Sequence, residues 1–513
     1  MGNSVRARAG AAAVALSFAL LLLVGVAGPN AAKPGLGPRG WAPGDLAWAP
    51  SPALVTALLW AAYLLGGGGV ALRLVTAGRT AAARAATHAG DHAGDHAGTL
   101  AGTLAGALAA QAAARWPGWR WPLLLAVGAL LTGPFGSADH TNYAAYGRIA
   151  AQGGDPYLTA PDAWPASDPV TSAVEPPWRG TVSIYGPFAT ALQALASLVG
   201  GANLRQTVWV WQLLVVVAWL LVRWLLLRAG AAQQRVDTLW TFNPLVFGIG
   251  VLGAHVDLLA AALALAAIVL AARNPWLGGL VGGLAVSTKV TFGIAGVALL
   301  VAWWGHERSG FARRVVALVV GAVVVVVPLH LWAGPHVFDQ LDRARRSISL
   351  ATPWRLVFEW LAGGPMAAST ARDLVSVGSV VLAVVFVVLL ARLTRGLAPD
   401  TATGTAARWV VVLSAAYTLA APYSLPWYDL LAWVALPVLA PGVVDLLLLG
   451  RLTAMAVAYV PGRVVGMTRT VQDLTLGVRR RVVPYAVLAV WGWLTLAATR
   501  ASSRASAPRP PAP

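Results

Sequence analysis

Residues 315–332 read VVALVVGAVVVVVPLHLW, follow directly on Arg313-Arg314, and contain no Asp, Glu, Lys or Arg. As a helix, such a run covers ~27 Å at about 1.5 Å per residue, close to the ~30 Å hydrocarbon thickness of a bilayer. Runs of the same kind recur at 11–26, 52–74, 119–135, 187–202, 207–227, 238–252, 254–272, 276–304, 373–391, 408–421, 429–449 and 483–499. The stretch 276–304 is too long for one simple span, and either a turn near Ser287-Thr288-Lys289 or a strongly tilted helix is expected. The expected fold is therefore all-α, a polytopic integral membrane protein with about 11 to 13 transmembrane helices.

Composition points the same way. Of the 513 residues 58% are hydrophobic and 11% charged, whereas a soluble domain carries about a quarter charged residues. Such a chain cannot cover itself with a water-compatible surface, which excludes a soluble nucleotide-binding α/β enzyme and a disordered protein. With no cysteine there is no disulfide, thiolate nucleophile or Cys-ligated metal. The net charge of +18 would suggest nucleic acid in a soluble protein. Here the arginines sit at the ends of apolar runs, where they set orientation and meet lipid head groups, so no nucleic-acid partner is expected.

Four regions are expected. Residues 1–75 hold N-terminal anchor helices, the first a retained anchor rather than a cleaved signal peptide because many spans follow. Residues 76–118 form a cytoplasmic low-complexity linker with the repeat AGDH-AGDH-AGTL-AGTL-AGAL. Its His88, His92 and His96, with Asp91 and Asp95, have helical metal-ligand spacing, but the drift of the repeat reads as low complexity, and no metal is assigned. Residues 119–499 form the membrane module, and 500–513 a disordered cytoplasmic tail. Arginines flanking the linker place it inside, which makes residues 136–185 a large extracytoplasmic loop carrying five of the 19 acids. Arg223, Arg228 and Arg235 also favour the cytoplasm, which leaves the path of 207–252 open, with 238–252 as a candidate re-entrant segment.

The densest polar run opens that loop: DHTNYAAYGRIAAQGGDPY, residues 139–157. Helical spacing would put Asp139, Tyr143 and Tyr146 on one face with Arg148 nearby, and the helix dipole favours a charged carboxylate at Asp139. The plain alternative is an N-cap on a solvated helix. Other polar residues interrupt apolar runs, where they are expensive and tend to be functional. They are His255 and Asp257 after Asn243-Pro244, Lys289, the arginines 343–346 and Arg355, and the aromatic turn Tyr423-Ser424-Leu425-Pro426-Trp427-Tyr428-Asp429. Each also has a structural reading: helix capping, snorkelling, or an interfacial aromatic belt. Together they suggest a carboxylate base, cations for a phosphate and rings for sugar faces.

The runs DHTNYAAYGRIAAQGGDPY, IYGP (184–187), NPLVFGIGVLGAHVD (243–257), STK (287–289), ATPWRLV (351–357) and YSLPWYD (423–429), in that order, resemble the actinobacterial polyprenol-phosphomannose-dependent α-(1→6)-mannopyranosyltransferases of lipomannan synthesis. These are members of the GT-C glycosyltransferase superfamily. The resemblance spans residues 119–499 and implies a multi-pass plasma-membrane enzyme with its site on the extracytoplasmic face. It further implies inverting transfer of mannose from a polyprenyl-phosphate donor to a hydroxyl of a cell-envelope glycan or lipoglycan, with Asp139 as the base. Arg148, Lys289, Arg346 and Arg355 are expected at the donor phosphate and lipid. Tyr143, Tyr146, Asp155, Tyr157, Tyr185, His255, Asp257, Tyr423, Trp427 and Tyr428 are expected around sugar and acceptor. The lipid-linked sugar is a co-substrate and no cofactor is expected; a divalent metal is compatible with the superfamily, but no cluster here has ligand geometry. The reading from another class is a transporter or lipid flippase, which needs ionisable residues through the midplane and repeated spans; only Lys289 answers to that. A non-catalytic scaffold would not need Asp139.

Overall fold

The computed structural model describes residues 3–91, 118–339 and 347–506. Among them every regular element is helical, and the one pair of bridged extended residues is Asn30 with Lys33. The side chains of His88, Asp91, His92, Asp95 and His96 lie outside the described residues, as do Arg343, Arg345 and Arg346. The last helix runs on through Ser506, so residues 500–506 are helical rather than the start of a disordered tail.

Six helices among the described residues are long and apolar enough to cross a membrane: Ser4–Val26, Pro52–Gly78, Leu204–Arg228, Arg308–Ala333, Ala368–Leu393 and Arg469–Ala501. The pair Pro244–Leu252 and Val256–Ala271, bent by 110° at its break, makes a seventh if it is counted as one span. Fewer helices reach that length than the 11 to 13 spans expected, because several apolar runs fold as shorter helices, such as Arg120–Leu131 and Pro187–Gly200. Apolar stretches of about 10–14 residues serve packing as readily as crossing. Within 276–304 the turn is present rather than one tilted helix: helix Pro275–Thr288 stops, Lys289 is extended, and a tight turn leads into Ile294–His306.

The chain's contacts sort its loops onto two faces. Gly10 packs on Gly69 and Arg73, so the first two helices are antiparallel and their connection, residues 27–51, lies at the opposite end from Arg73. The start of Leu204–Arg228 is tied to that connection: Asn203 Nδ2 donates to Pro38 O at 3.1 Å and Arg205 pairs with Asp45 at 2.8 Å. Asp45 in turn holds the fully buried Lys33 at 2.6 Å, whose ammonium also donates to Gly25 O and Ala27 O. At its other end the helix brings Arg223 onto Asp237 and over the ring of Trp119. The open path of 207–252 is thereby settled: Arg223, Arg228 and Arg235 gather on the face of Arg73. The helix Pro187–Gly200 does not cross. It starts where Gly186 N–H donates to Thr288 O at 3.0 Å and ends beside Asn203, both on the face opposite Arg73.

The helix Asp139–Ala151 lies on this second helix with no side chain between them at Gly147. A Cβ there would stand 2.1 Å from Gln193 O and 2.3 Å from its carbonyl carbon. Backbone cannot yield as a side-chain tip does, so Gly147→Ala should cost about 1–3 kcal/mol and lower the thermal unfolding midpoint in detergent; an unchanged midpoint would show the contact to be looser than this geometry.

The bent pair shapes the floor of the site. Asn243 opens it as a cap, accepting from Leu245 N at 3.1 Å and donating to Leu239 O at 3.1 Å. A wide π-turn, Phe247–Leu252, follows, and then Gly253-Ala254-His255 turns the chain, with Ala254 at φ 51°. A left-handed alanine is costly and persists only where its surroundings hold it. The carbonyls released by the break are taken up by Trp211 Nε1 at Ala254 O (2.8 Å), Gln212 Nε2 at Val251 O (2.9 Å) and Phe135 N at Leu252 O (3.0 Å). Non-helical backbone inside a membrane protein is tolerated when it is satisfied in this way and lines a cavity.

Candidate functional site

Asp139 is the first residue of its helix, and its N–H donates to Ser137 Oγ at 3.2 Å. Three residues of that helix, Asp139, Asn142 and Tyr146, face a cavity of about 330 Å³. The spacing i, i+3, i+7 is one helical stripe. Tyr143 is rotated off that stripe, buried against Tyr185 (5.0 Å between ring centres) and Trp211 (5.2 Å). It supports the wall, and Tyr185 is the ring that reaches the cavity.

The opposite wall is the aromatic turn, with Tyr423, Trp427 and Tyr428 all on the cavity. Arg451, fully buried, fastens this turn by pairing with Asp429 and donating to Ser424 Oγ at 2.6 Å and Thr418 O at 2.7 Å. Asp257 lies at the cavity with Lys289, whose Nζ is 2.6 Å from Asp257 Oδ1 and 3.8 Å from the centre of the Tyr428 ring.

Two arginines not anticipated from the sequence complete the lining. Arg463 grips Glu175 with both ends of its guanidinium and donates to the carbonyls of Asn30 and Lys33. Arg479 donates from Nε to Ala458 O at 2.7 Å and lies over the Tyr459 ring at 4.5 Å. Among the described residues Lys289 and Arg463 each meet a carboxylate, and no carboxylate reaches Arg479. Arg479 stands in Arg479-Arg480-Arg481, an arginine cluster at the cavity end of the bundle; that was the available signal.

Several expected site residues lie elsewhere. Arg148 Nε pairs with Asp168 at 2.7 Å, away from the cavity. Burial alone would raise the Asp168 carboxyl, but Arg148 and the N–H groups of Thr171 and Val170 hold it below the usual carboxylate range. Asp155 accepts from Tyr157 N at 2.8 Å and shapes its own turn, and the Tyr157 hydroxyl meets Thr190 Oγ1 at 2.8 Å. Arg355 pairs with Glu359 at 2.7 Å, one helical turn on, and Glu359 also receives Arg480. Arg355→Ala should therefore change the donor KM by less than about threefold, since exposed pairs of this kind contribute only ~0–1 kcal/mol; a tenfold rise would bring Arg355 back to the donor. His255 sits just behind Asp139. Asp257 is taken up by Lys289, and among the described residues no three His, Asp or Glu side chains gather as metal ligands.

The family described as "Alpha-(1->6)-mannopyranosyltransferase, N-terminal domain" matches residues 19–306, more than half of the chain. The chain belongs to that family. A "Probable alpha-(1->6)-mannopyranosyltransferase" of Mycolicibacterium smegmatis (strain ATCC 700084 / mc(2)155) is 33% identical over 161 residues, 30% of this chain and 28% of the relative. The alignment thus spans little more than a quarter of that relative's length. Among solved structures, ArnT from Cupriavidus metallidurans bound to undecaprenyl phosphate superposes with a TM-score of 0.39 and 16% identity, over 71% of this chain and 72% of that one. The mannopyranosyltransferase family is one of glycosyltransferases, and this member is an all-helical integral membrane protein. Its matched segment contains Asp139, His255, Asp257 and Lys289, while Tyr423, Trp427, Arg463 and Arg479 come from beyond it.

Proposed function

We propose that this protein is an inverting membrane glycosyltransferase that moves mannose from a polyprenyl-phosphate donor to a hydroxyl of a cell-envelope glycan or lipoglycan. The carrying observation is the Asp139 carboxylate on a cavity that is also lined by Arg479, which meets no carboxylate among the described residues, whereas the other two lining carboxylates, Glu175 and Asp257, are paired with Arg463 and Lys289. About 330 Å³ falls within the range of small-molecule sites, and rings such as Tyr146, Tyr185 and Tyr428 offer apolar faces for the C–H side of a sugar.

In the proposed reaction the acceptor hydroxyl gives its proton to the Asp139 carboxylate as its oxygen bonds to the sugar C1. The bond from C1 to the phosphate oxygen breaks on the opposite side, inverting that carbon, and the electron pair leaves with the polyprenyl phosphate. Arg479 stabilises the departing phosphate. The cavity lies on the face opposite the arginine-rich end of the bundle, which supports an extracytoplasmic site. Nucleotide sugars do not occur there, so a lipid-held donor fits the location. The test is to incubate membranes carrying the protein with synthetic polyprenyl-phosphate sugars and short α-mannoside acceptors. Extension of the acceptor by mannose is expected; no transfer from any lipid donor would refute the reading.

A further inference from the structure

The imidazole of His255 is sealed into the floor beneath the carboxylate. Its side chain is 2% exposed, and Nδ1 is buried without a hydrogen-bond partner. The nearest carboxylate atom is Asp139 Oδ2, at 3.4 Å. The plane of the ring is held by stacking on Trp427, with centroids 3.6 Å apart and planes 15° from parallel. Behind it a side chain on Gly253 would come within 2.7 Å of the imidazole Cδ2, so the break in the bent pair is shaped around this ring. A buried nitrogen with no other partner is expensive, and so is the left-handed Ala254 immediately before it. The two costs fall on adjacent residues, Ala254 and His255, and the carboxylate within reach of the unpartnered nitrogen is the proposed base. The adjacent His140 offers no substitute: among the described residues neither of its nitrogens has a hydrogen-bond partner, and burial holds its imidazole down to about 3 despite the pull of Asp139.

We infer that His255 is a positioning residue for Asp139, donating from Nδ1–H to Oδ2 so that Oδ1 is left to receive the acceptor's proton. The inference rests on the proposed base role of Asp139. It requires the tautomer with the proton on Nδ1, and it makes Trp427 a dual element, a cavity wall on one side and the clamp on the imidazole on the other.

The test compares two variants in the transfer assay. His255→Phe keeps a flat ring on Trp427 and removes the donor; His255→Asn supplies an amide N–H close to where Nδ1–H stood. Misplacing a reacting group by about 1 Å can cost about 100-fold. His255→Phe should thus lower kcat ~100-fold with both KM values within about threefold of the parent, while His255→Asn should recover to within about tenfold. On an Asp139→Asn background, His255→Phe should remove nothing further from the residual rate. An undiminished kcat in the folded His255→Phe protein, a loss confined to acceptor KM, or a full second loss on the Asp139→Asn background would each overturn the inference. Full activity of Asp139→Asn alone would instead overturn the base role, so the two failures are distinguishable.

Discussion

Asp139→Asn should bring glycosyl transfer down by about 10³-fold, with insertion and thermal unfolding unchanged. A positioned general base is worth about 10²–10⁴ in rate, and the amide keeps the size of the carboxylate while losing its ability to take a proton. Asn has the shape of Asp, and the charge lost at the helix start is worth only about 0.3–1 kcal/mol, so the local fold is kept. The measurement is single-turnover transfer from a synthetic polyprenyl-phosphate mannose to a short α-mannoside, beside a melting curve in detergent. Activity within threefold of the parent would remove Asp139 from the chemistry.

The second large effect is expected at Arg479. Its guanidinium lines the cavity, is held by Ala458 O and the Tyr459 ring, and meets no carboxylate among the described residues. Removing one group that stabilises charge in a transition state costs about 10²–10³ in rate. Arg479→Gln should therefore lower kcat/KM for the lipid donor by about 10²-fold or more, and leave the acceptor KM near the parent value. Arg479→Lys should recover only part, since an ammonium keeps the charge but lacks the planar fork that fits a phosphate. If Arg479→Gln transfers at the parental rate, the leaving phosphate lies elsewhere, and Lys289 in its pair with Asp257 becomes the group to test.

The helical membrane class, the break before Lys289 and the polar helix that begins at Asp139 are legible in the sequence. Each is written locally, in apolar runs or in a cluster of polar residues where none is affordable. What sequence could not separate was crossing from packing. Residues 187–202 are as apolar as a span, yet both ends of that helix are held on one face, by Thr288 and by the neighbourhood of Asn203.

The arginines show the same divide. Arg355 and Arg479 both stand on the face where arginine is unexpected, and only the partners tell them apart. Glu359 lies four residues after Arg355, a helical pairing distance that was open to inspection. The partners of Arg479, Ala458 and Tyr459, belong to the preceding helix and loop and come together with it only in the folded chain. Tyr143 follows a similar rule. Helical spacing placed it beside Asp139, but the stripe chosen by packing is Asp139, Asn142 and Tyr146, because Trp211 and Tyr185 claim the Tyr143 ring.

Arg463 ties three stretches together: Glu175 from the loop after the Asp139 helix, the carbonyls of Asn30 and Lys33 from the first connection, and its own segment after residue 458. Among the described residues the first two helices put no side chain on the cavity, yet the connection between them steadies Arg463, which does line it. They act as an outrigger: trimmed from the chain, they would take no chemistry with them but would leave Arg463 held by Glu175 alone.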